Sequence, residues 1–227
     1  MKRFFPSSCC LFVCLSMALG ATSARAELLS TLITNNDSIL VGGLTFSQFA
    51  YLGTGDMPAS SGINVVPYTD AKSGDSGLLF QGGFLDLPGG GASDALISFL
   101  VSVNNDVASV IKATLSGNPS VLGPGPGVIS ITETFLPEDG EAIINIYEIK
   151  PGSKVLTDSV DFNPGYVSIH VQKDILALAG SAGTVPTLSF FTQTFKVVPE
   201  PASMALFGLG LSGVALAWVR RRRASRG

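Results

Sequence analysis

Hydrophobic and polar residues alternate along most of the middle of this chain. Residues 95–103 read Ala-Leu-Ile-Ser-Phe-Leu-Val-Ser-Val and place Ile97, Phe99, Val101 and Val103 on one face. Residues 166–172 direct Val167, Ile169 and Val171 inward and Ser168, His170 and Gln172 outward. Comparable β-branched and aromatic runs fall near residues 44–52, 62–68, 77–81, 109–115, 127–135, 142–149 and 187–197, separated by Gly, Pro, Asn and Asp. A period of two at this spacing predicts an all-β domain over residues 27–197. An antiparallel β-sandwich is the expected form, with a jelly-roll-like arrangement or a barrel as alternatives. Only Lys173 to Ala179 is predicted as a helical turn, stopped at Gly180. No internal repeat is evident, and Gly123-Pro124-Gly125-Pro126-Gly127 is a loop inside the domain.

One residue breaks the alternation. Glu133 shares its strand face with Ile129, Ile131 and Phe135, the side expected to face the core. A bulge or register slip accounts for it, and a buried cationic partner such as a lysine is the rarer alternative.

The two ends depart from the pattern altogether. Lys2 and Arg3 precede a twelve-residue uncharged run from Cys9 to Gly20, and Ala24-Arg25-Ala26 follows before Glu27. That is the order of a secretory signal peptide over residues 1–26, cut after Ala26, with Ala24 and Ala26 as the small residues of the site. The run is shorter than the roughly 20 residues needed to span a bilayer. Cys9, Cys10 and Cys14 all lie in this leader, and Val13 before Cys14 is a poor match to a lipid-attachment site. The mature chain then has no cysteine. It can form neither a disulfide nor a thiolate metal site.

At the other end, Val198-Pro199-Glu200-Pro201-Ala202-Ser203 opens onto an uncharged run from Ala202 to Val219, closed by Arg220, Arg221, Arg222 and Arg223. Its 18 residues reach roughly 27 Å as a helix, enough for the hydrocarbon core. Trp218 sits at the interface end, and the arginines halt transfer and stay cytoplasmic. The domain before the helix is therefore placed outside the cytoplasm. Two prolines hold the tripeptide before the helix extended and apart from it.

Motif, apolar span and basic cluster together resemble the PEP-CTERM sorting signal of Gram-negative bacteria over residues 198–227. The motif falls at 198–203, the helix at 202–219 and the basic tail at 220–227. The resemblance implies an inner-membrane anchor through the helix before processing. It also implies recognition by exosortase, a multispanning transpeptidase-like enzyme with a cysteine nucleophile, and association with exopolysaccharide and with biofilm or floc formation at the cell surface or in the matrix. A second stretch, Val41-Gly42-Gly43-Leu44-Thr45-Phe46-Ser47-Gln48-Phe49-Ala50-Tyr51, is similar to a segment near the mature N-terminus of many such ectodomains, and it implies no activity. On its residues alone it is a Gly42-Gly43 turn leading into a core strand.

Charge narrows the partners. The whole chain is 46% hydrophobic and 14% charged. Residues 27–197 carry six lysines, no arginine and 16 acidic residues, a net charge of −10. Phosphate contacts come from Lys and Arg, so nucleic acid is excluded as a partner.

Candidate chemistry is sparse. Gly74-Asp75-Ser76-Gly77 copies the tetrapeptide around the nucleophile of chymotrypsin-like proteases, but His170, the one histidine, comes after the serine. In that fold the histidine comes first. His170 has no histidine or cysteine with which to share a transition metal. Glu138, Asp139 and Glu141 read as a solvated turn more readily than as a glycosidase pair. Asn35-Asn36-Asp37, Asp70, Asp75 and Asn104-Asn105-Asp106 offer oxygen ligands for calcium, and the same residues are the commonest turn formers. The expectation is an exported, non-enzymatic structural or matrix protein without a cofactor. A carbohydrate-binding module is the alternative, calcium-dependent in one form, with Tyr51, Tyr68, Tyr147 and Tyr166 as available sugar platforms.

Overall fold

A computed structural model of the chain describes residues 25–104, 108–136 and 142–199. In chain order, β1 (Glu27–Leu28) leads into the short helix α1 (Leu29–Asn35), and a hairpin of β2 (Ile39–Val41) and β3 (Leu44–Thr54) follows. A single 3-10 turn at Ser60–Gly62 precedes β4 (Asn64–Thr69), β5 (Ser76–Leu85), β6 (Ser93–Val103), β7 (Ala108–Gly117) and β8 (Ser120–Leu122). The series ends with β9 (Gly127–Leu136), β10 (Ala142–Lys150), β11 (Lys154–Val155), β12 (Thr157–Tyr166), β13 (Ser168–Ala179) and β14 (Val185–Pro199).

These strands form two antiparallel sheets packed face to face as a sandwich. Sheet A has the order β1-β4-β5-β14-β7-β12, with β8 paired to the start of β14. Sheet B has the order β11-β10-β9-β13-β6-β3-β2. Alternation drives this arrangement, because a strand with one apolar face must bury it against a second layer. Along β6, Ala95, Ile97, Phe99, Val101 and Val103 are all buried. Gly42 and Gly43 take φ of +58° and +81°, the double left-handed turn whose twist suits a two-residue hairpin between β2 and β3.

Aromatic rings join the layers. Phe80 of sheet A stacks on Phe191 at 4.8 Å and reaches Phe99 of sheet B at 6.0 Å. Phe195 of sheet A meets Phe46 at 5.9 Å and Phe135 at 6.4 Å, both from sheet B. Strict alternation along β3 would send Phe49 outward if Phe46 points inward. Gln48 resolves this by adopting φ +56°, and the β3–β6 register shifts between Ser47 and Ala50. This bulge lets Phe46 and Phe49 both face the core.

Two sequence expectations are corrected. Lys173 to Ala179 is no helical turn but the second half of β13. The segment consists mainly of good helix formers, yet it is paired on both edges, with β6 and with β9, and those ladders override local propensity. Val167 is 42% exposed because it lies in the bend before β13, which begins at Ser168. Ile169 and Val171 are buried as expected.

β12, unmarked in the alternation, carries Asp158, Asp161 and Pro164. It forms an edge of sheet A, where charges and proline are tolerated. Among the described residues, no helix is long and apolar enough to cross a membrane. The signal peptide up to Ala24, the helix expected at 202–219 and the arginine cluster lie outside the described residues.

Candidate binding face

The outer face of sheet A is a band of hydroxyl groups. β14 turns Thr192, Thr194 and Lys196 outward, and β7 places Ser116, Thr114 and Lys112 directly opposite them. Thr157 of β12 extends the row, its hydroxyl 3.0 Å from that of Ser116. Tyr68 from β4 and the turn bearing Asp70, Ser73 and Asp75 close the other side. Together they line an open groove of about 410 Å³. The residue types follow from position. Outward sites in strands favour β-branched residues that keep a polar tip in water, and Thr supplies both properties.

Charge in the groove is concentrated at one end. Lys112 and Lys196 stand opposite each other on adjacent strands, and their repulsion is relieved only weakly by Asp161, 3.9 Å from Lys112. Asp70 is committed to its own turn. Its Oδ1 accepts hydrogen bonds from the backbone N–H groups of Ser73 (2.8 Å) and Lys72 (2.9 Å) and from the Ser73 hydroxyl (3.2 Å). The Ser73 N–H, then that of Lys72, hold its carboxyl below the usual range.

The other candidates scatter. Tyr51 donates its hydroxyl to the carbonyl of Pro58, and Tyr166 packs edge-on against Phe162 at 5.6 Å. Tyr147 lies on β10 in sheet B, so Tyr68 alone of the four tyrosines reaches the groove. Ser76 begins β5 in sheet A, while His170 is exposed on β13 in sheet B, so the serine–histidine pair is not assembled. Asn36 ends α1 in the left-handed conformation, and the Asn35 amide donates to Asp37 at 3.1 Å. Asn104 accepts from the Thr45 hydroxyl. Among the described residues, no three His, Cys, Asp or Glu side chains gather as for a metal ion. Asn105, Asp106, Glu138, Asp139 and Glu141 fall outside the described residues.

Glu133 does have the rarer explanation, a buried lysine. Lys173 sits opposite it on the neighbouring strand, with Nζ 2.7 Å from Glu133 Oε2, and both side chains are completely buried. Lys173 Nζ also donates to Gln193 Oε1 at 2.7 Å, across the gap between the sheets.

Of the expected sorting residues, Val198 and Pro199 end β14, paired with Ser109 and Ala108 of β7. Glu200 to Ser203 lie beyond the described residues. The PEP-CTERM protein-sorting motif matches residues 197–223. The chain carries a PEP-CTERM sorting signal. The motif implies exosortase-dependent sorting of an exported protein that is membrane-anchored before processing, with exosortase as the processing partner.

No curated protein sequence matches the chain. Among solved structures, TmCBM61 in complex with β-1,4-galactotriose is 12% identical with a TM-score of 0.31, over 64% of this chain and 88% of that one. Trichoderma harzianum endoglucanase 3 of family GH12 is 12% identical with a TM-score of 0.26, over 67% of this chain and 97% of the other. A structure of carbohydrate-binding modules from the β-sandwich superfamily is 12% identical with a TM-score of 0.25, over 69% and 57%. Likeness at this level carries no ligand or activity across.

Proposed function

We propose that this PEP-CTERM protein is a non-catalytic component of the cell surface or extracellular matrix that holds exopolysaccharide on the outer face of sheet A. The observation that carries this is the hydroxyl-lined groove with Lys112 and Lys196 at one end. Thr and Ser hydroxyls donate and accept equally well, which suits the hydroxyls of a sugar chain. Lys112, Lys196, Asp70 and Asp75 give the groove both charged donors and charged acceptors for a polar sugar chain, and Tyr68 offers one ring face for an apolar sugar surface. A long polymer spreads weak contacts along an open groove, whereas a small ligand usually needs a deeper pocket.

Affinity electrophoresis of residues 27–199, which contain the whole core, through gels with neutral or acidic polysaccharide tests the groove. Wild type should be retarded by at least one of these polymers. The Tyr68→Ala, Lys112→Ala, Lys196→Ala triple variant should migrate as in an empty gel. Free migration of wild type through every polymer would overturn the binding role. For sorting, expression with and without an exosortase should give products of different mass and location.

A further inference from the structure

We propose that Lys173 and Gln193 form an intramolecular isopeptide bond joining the two sheets, with Glu133 as the proton relay. Three observations converge on one point of the core. Lys173 and Glu133 come from sheet B and Gln193 from sheet A, and all three have no exposed surface. Nζ of Lys173 lies 2.7 Å from the amide oxygen of Gln193. The amide carbon is one C=O bond of about 1.23 Å further on, so Nζ stands within about 4 Å of it, close to the roughly 3–3.5 Å of a reacting pair. Glu133 Oε2 is 2.7 Å from the same nitrogen.

The unreacted arrangement is costly. A buried ion pair rarely outweighs its own desolvation, and here the pair is incompletely satisfied. Both carboxylate oxygens of Glu133 and Nε2 of Gln193 are buried without a hydrogen-bond partner among the described residues, Oε2 meeting Lys173 as an ion pair only, a state that calls for explanation in a native core. Condensation removes both the lysine charge and the orphan amide nitrogen.

The chemistry balances without an outside reagent. Glu133 takes a proton from the Lys173 ammonium, leaving a neutral amine. Burial favours this transfer in both groups, lowering the Lys173 pKa to about 8 and raising that of Glu133. Nζ attacks Gln193 Cδ, the Nζ–Cδ bond forms, and the Cδ–Nε2 bond breaks. Protons passed through Glu133 leave with Nε2 as ammonia, and no atom changes oxidation state. The rings of Phe99 and Phe191, centred 5.9 Å and 5.6 Å from Nζ, exclude the water that would hydrolyse the product. The bond would give a domain without cysteine, since the three in the chain are Cys9, Cys10 and Cys14, a covalent tie between its layers.

Peptide mapping of the full chain, exported and then denatured, tests the bond directly. Trypsin does not cut after an acylated lysine. A cross-linked chain should therefore release one fragment spanning residues 155–196, lighter than its sequence by one ammonia, with Lys173 and Gln193 joined in its fragmentation spectrum. Separate unmodified fragments 155–173 and 174–196 would overturn the proposal. So would a loss of water with Lys173 joined to Glu133. A Glu133→Gln variant that melts cooperatively should give the two separate fragments, and cross-linking in that variant would remove Glu133 from the relay role. If the variant fails to fold, the wild-type map still decides the bond.

Discussion

Strand β14 carries polar residues on both faces, and the two faces follow different rules. Outward, Thr192, Thr194 and Lys196 share a wide, wet groove with the residues of β7. Thr192 is half-buried and Lys196 exposed, and even Thr194, at 7% exposure, leaves no buried unpartnered atom among the described residues, so no single partner is required. Inward, Gln193 stands between Phe191 and Phe195, and its amide meets only what the opposite sheet offers. A charge that costs little outside is there a group that must be matched, neutralised or consumed. Polar residues one position apart on a strand can thus belong to recognition in one case and to the architecture of the core in the other.

The two faces of β14 should differ most in their response to loss of charge. Glu133→Leu leaves Lys173 in the core without its anion and without its relay. It should cost about 3–5 kcal/mol, the usual penalty for stranding one member of a buried pair. Lys196→Leu, on the outer face of the same sheet, should change stability by less than about 0.5 kcal/mol. Urea unfolding of the two variants measures both, and similar losses would erase the distinction between the faces.

Gly77 offers a way to disturb both faces from one atom. It pairs with Thr194 on β14, and a Cβ there would lie 1.8 Å from the backbone oxygen of Gln193. Backbone cannot yield as a flexible side chain does, so Gly77→Ala should push β5 and β14 apart at a cost of about 1–3 kcal/mol. The same displacement moves Gln193 relative to Lys173. The share of the joined 155–196 fragment should fall while the melting temperature drops. A variant with wild-type stability and full cross-linking would show that β14 has slack the packing does not suggest.

The sandwich was legible because most of its strands obey a period of two, and their buried faces are as expected in β6 and β9. The site beneath them was half legible. Glu133 stood out on a core face, but its partner lay hidden in Lys173 to Ala179. There, apolar residues on both faces, Leu176 and Leu178 outward with Ile175 and Ala177 inward, blurred the alternation. Composition then favoured a helix. Gln193 left a clearer trace, since it shares parity with Phe191 and Phe195 in residues 190–195. The groove was illegible for another reason. Its hydroxyls come from β7, β12 and β14, and only the register of a sheet brings residues so distant in sequence together.

On the outer face of sheet B a charged pair should matter far less than the buried one. Asp174 faces outward on β13, and Asp94 approaches it diagonally from β6, two residues before its pairing partner Leu96. Partial burial, then the charge and hydrogen bond of Asp94, raise the Asp174 pKa above the ordinary carboxylate value. A raised folded-state pKa means that the folded chain holds this proton when the unfolded chain has already released it. Stability therefore falls as pH climbs from the ordinary carboxylate value to the raised one, and stays lower above it. Asp174→Asn removes the ionisation and should stabilise the protein at pH 7, with no such gain below the carboxylate range. Because Asp174 is exposed, solvent screening limits the gain to on the order of a few tenths of a kcal/mol, roughly a tenth of the Glu133→Leu loss. Melting curves at pH 3 and pH 7 should show the gain at pH 7 alone. A gain as large at pH 3 as at pH 7 would mean that the charge on Asp174 was never its cause.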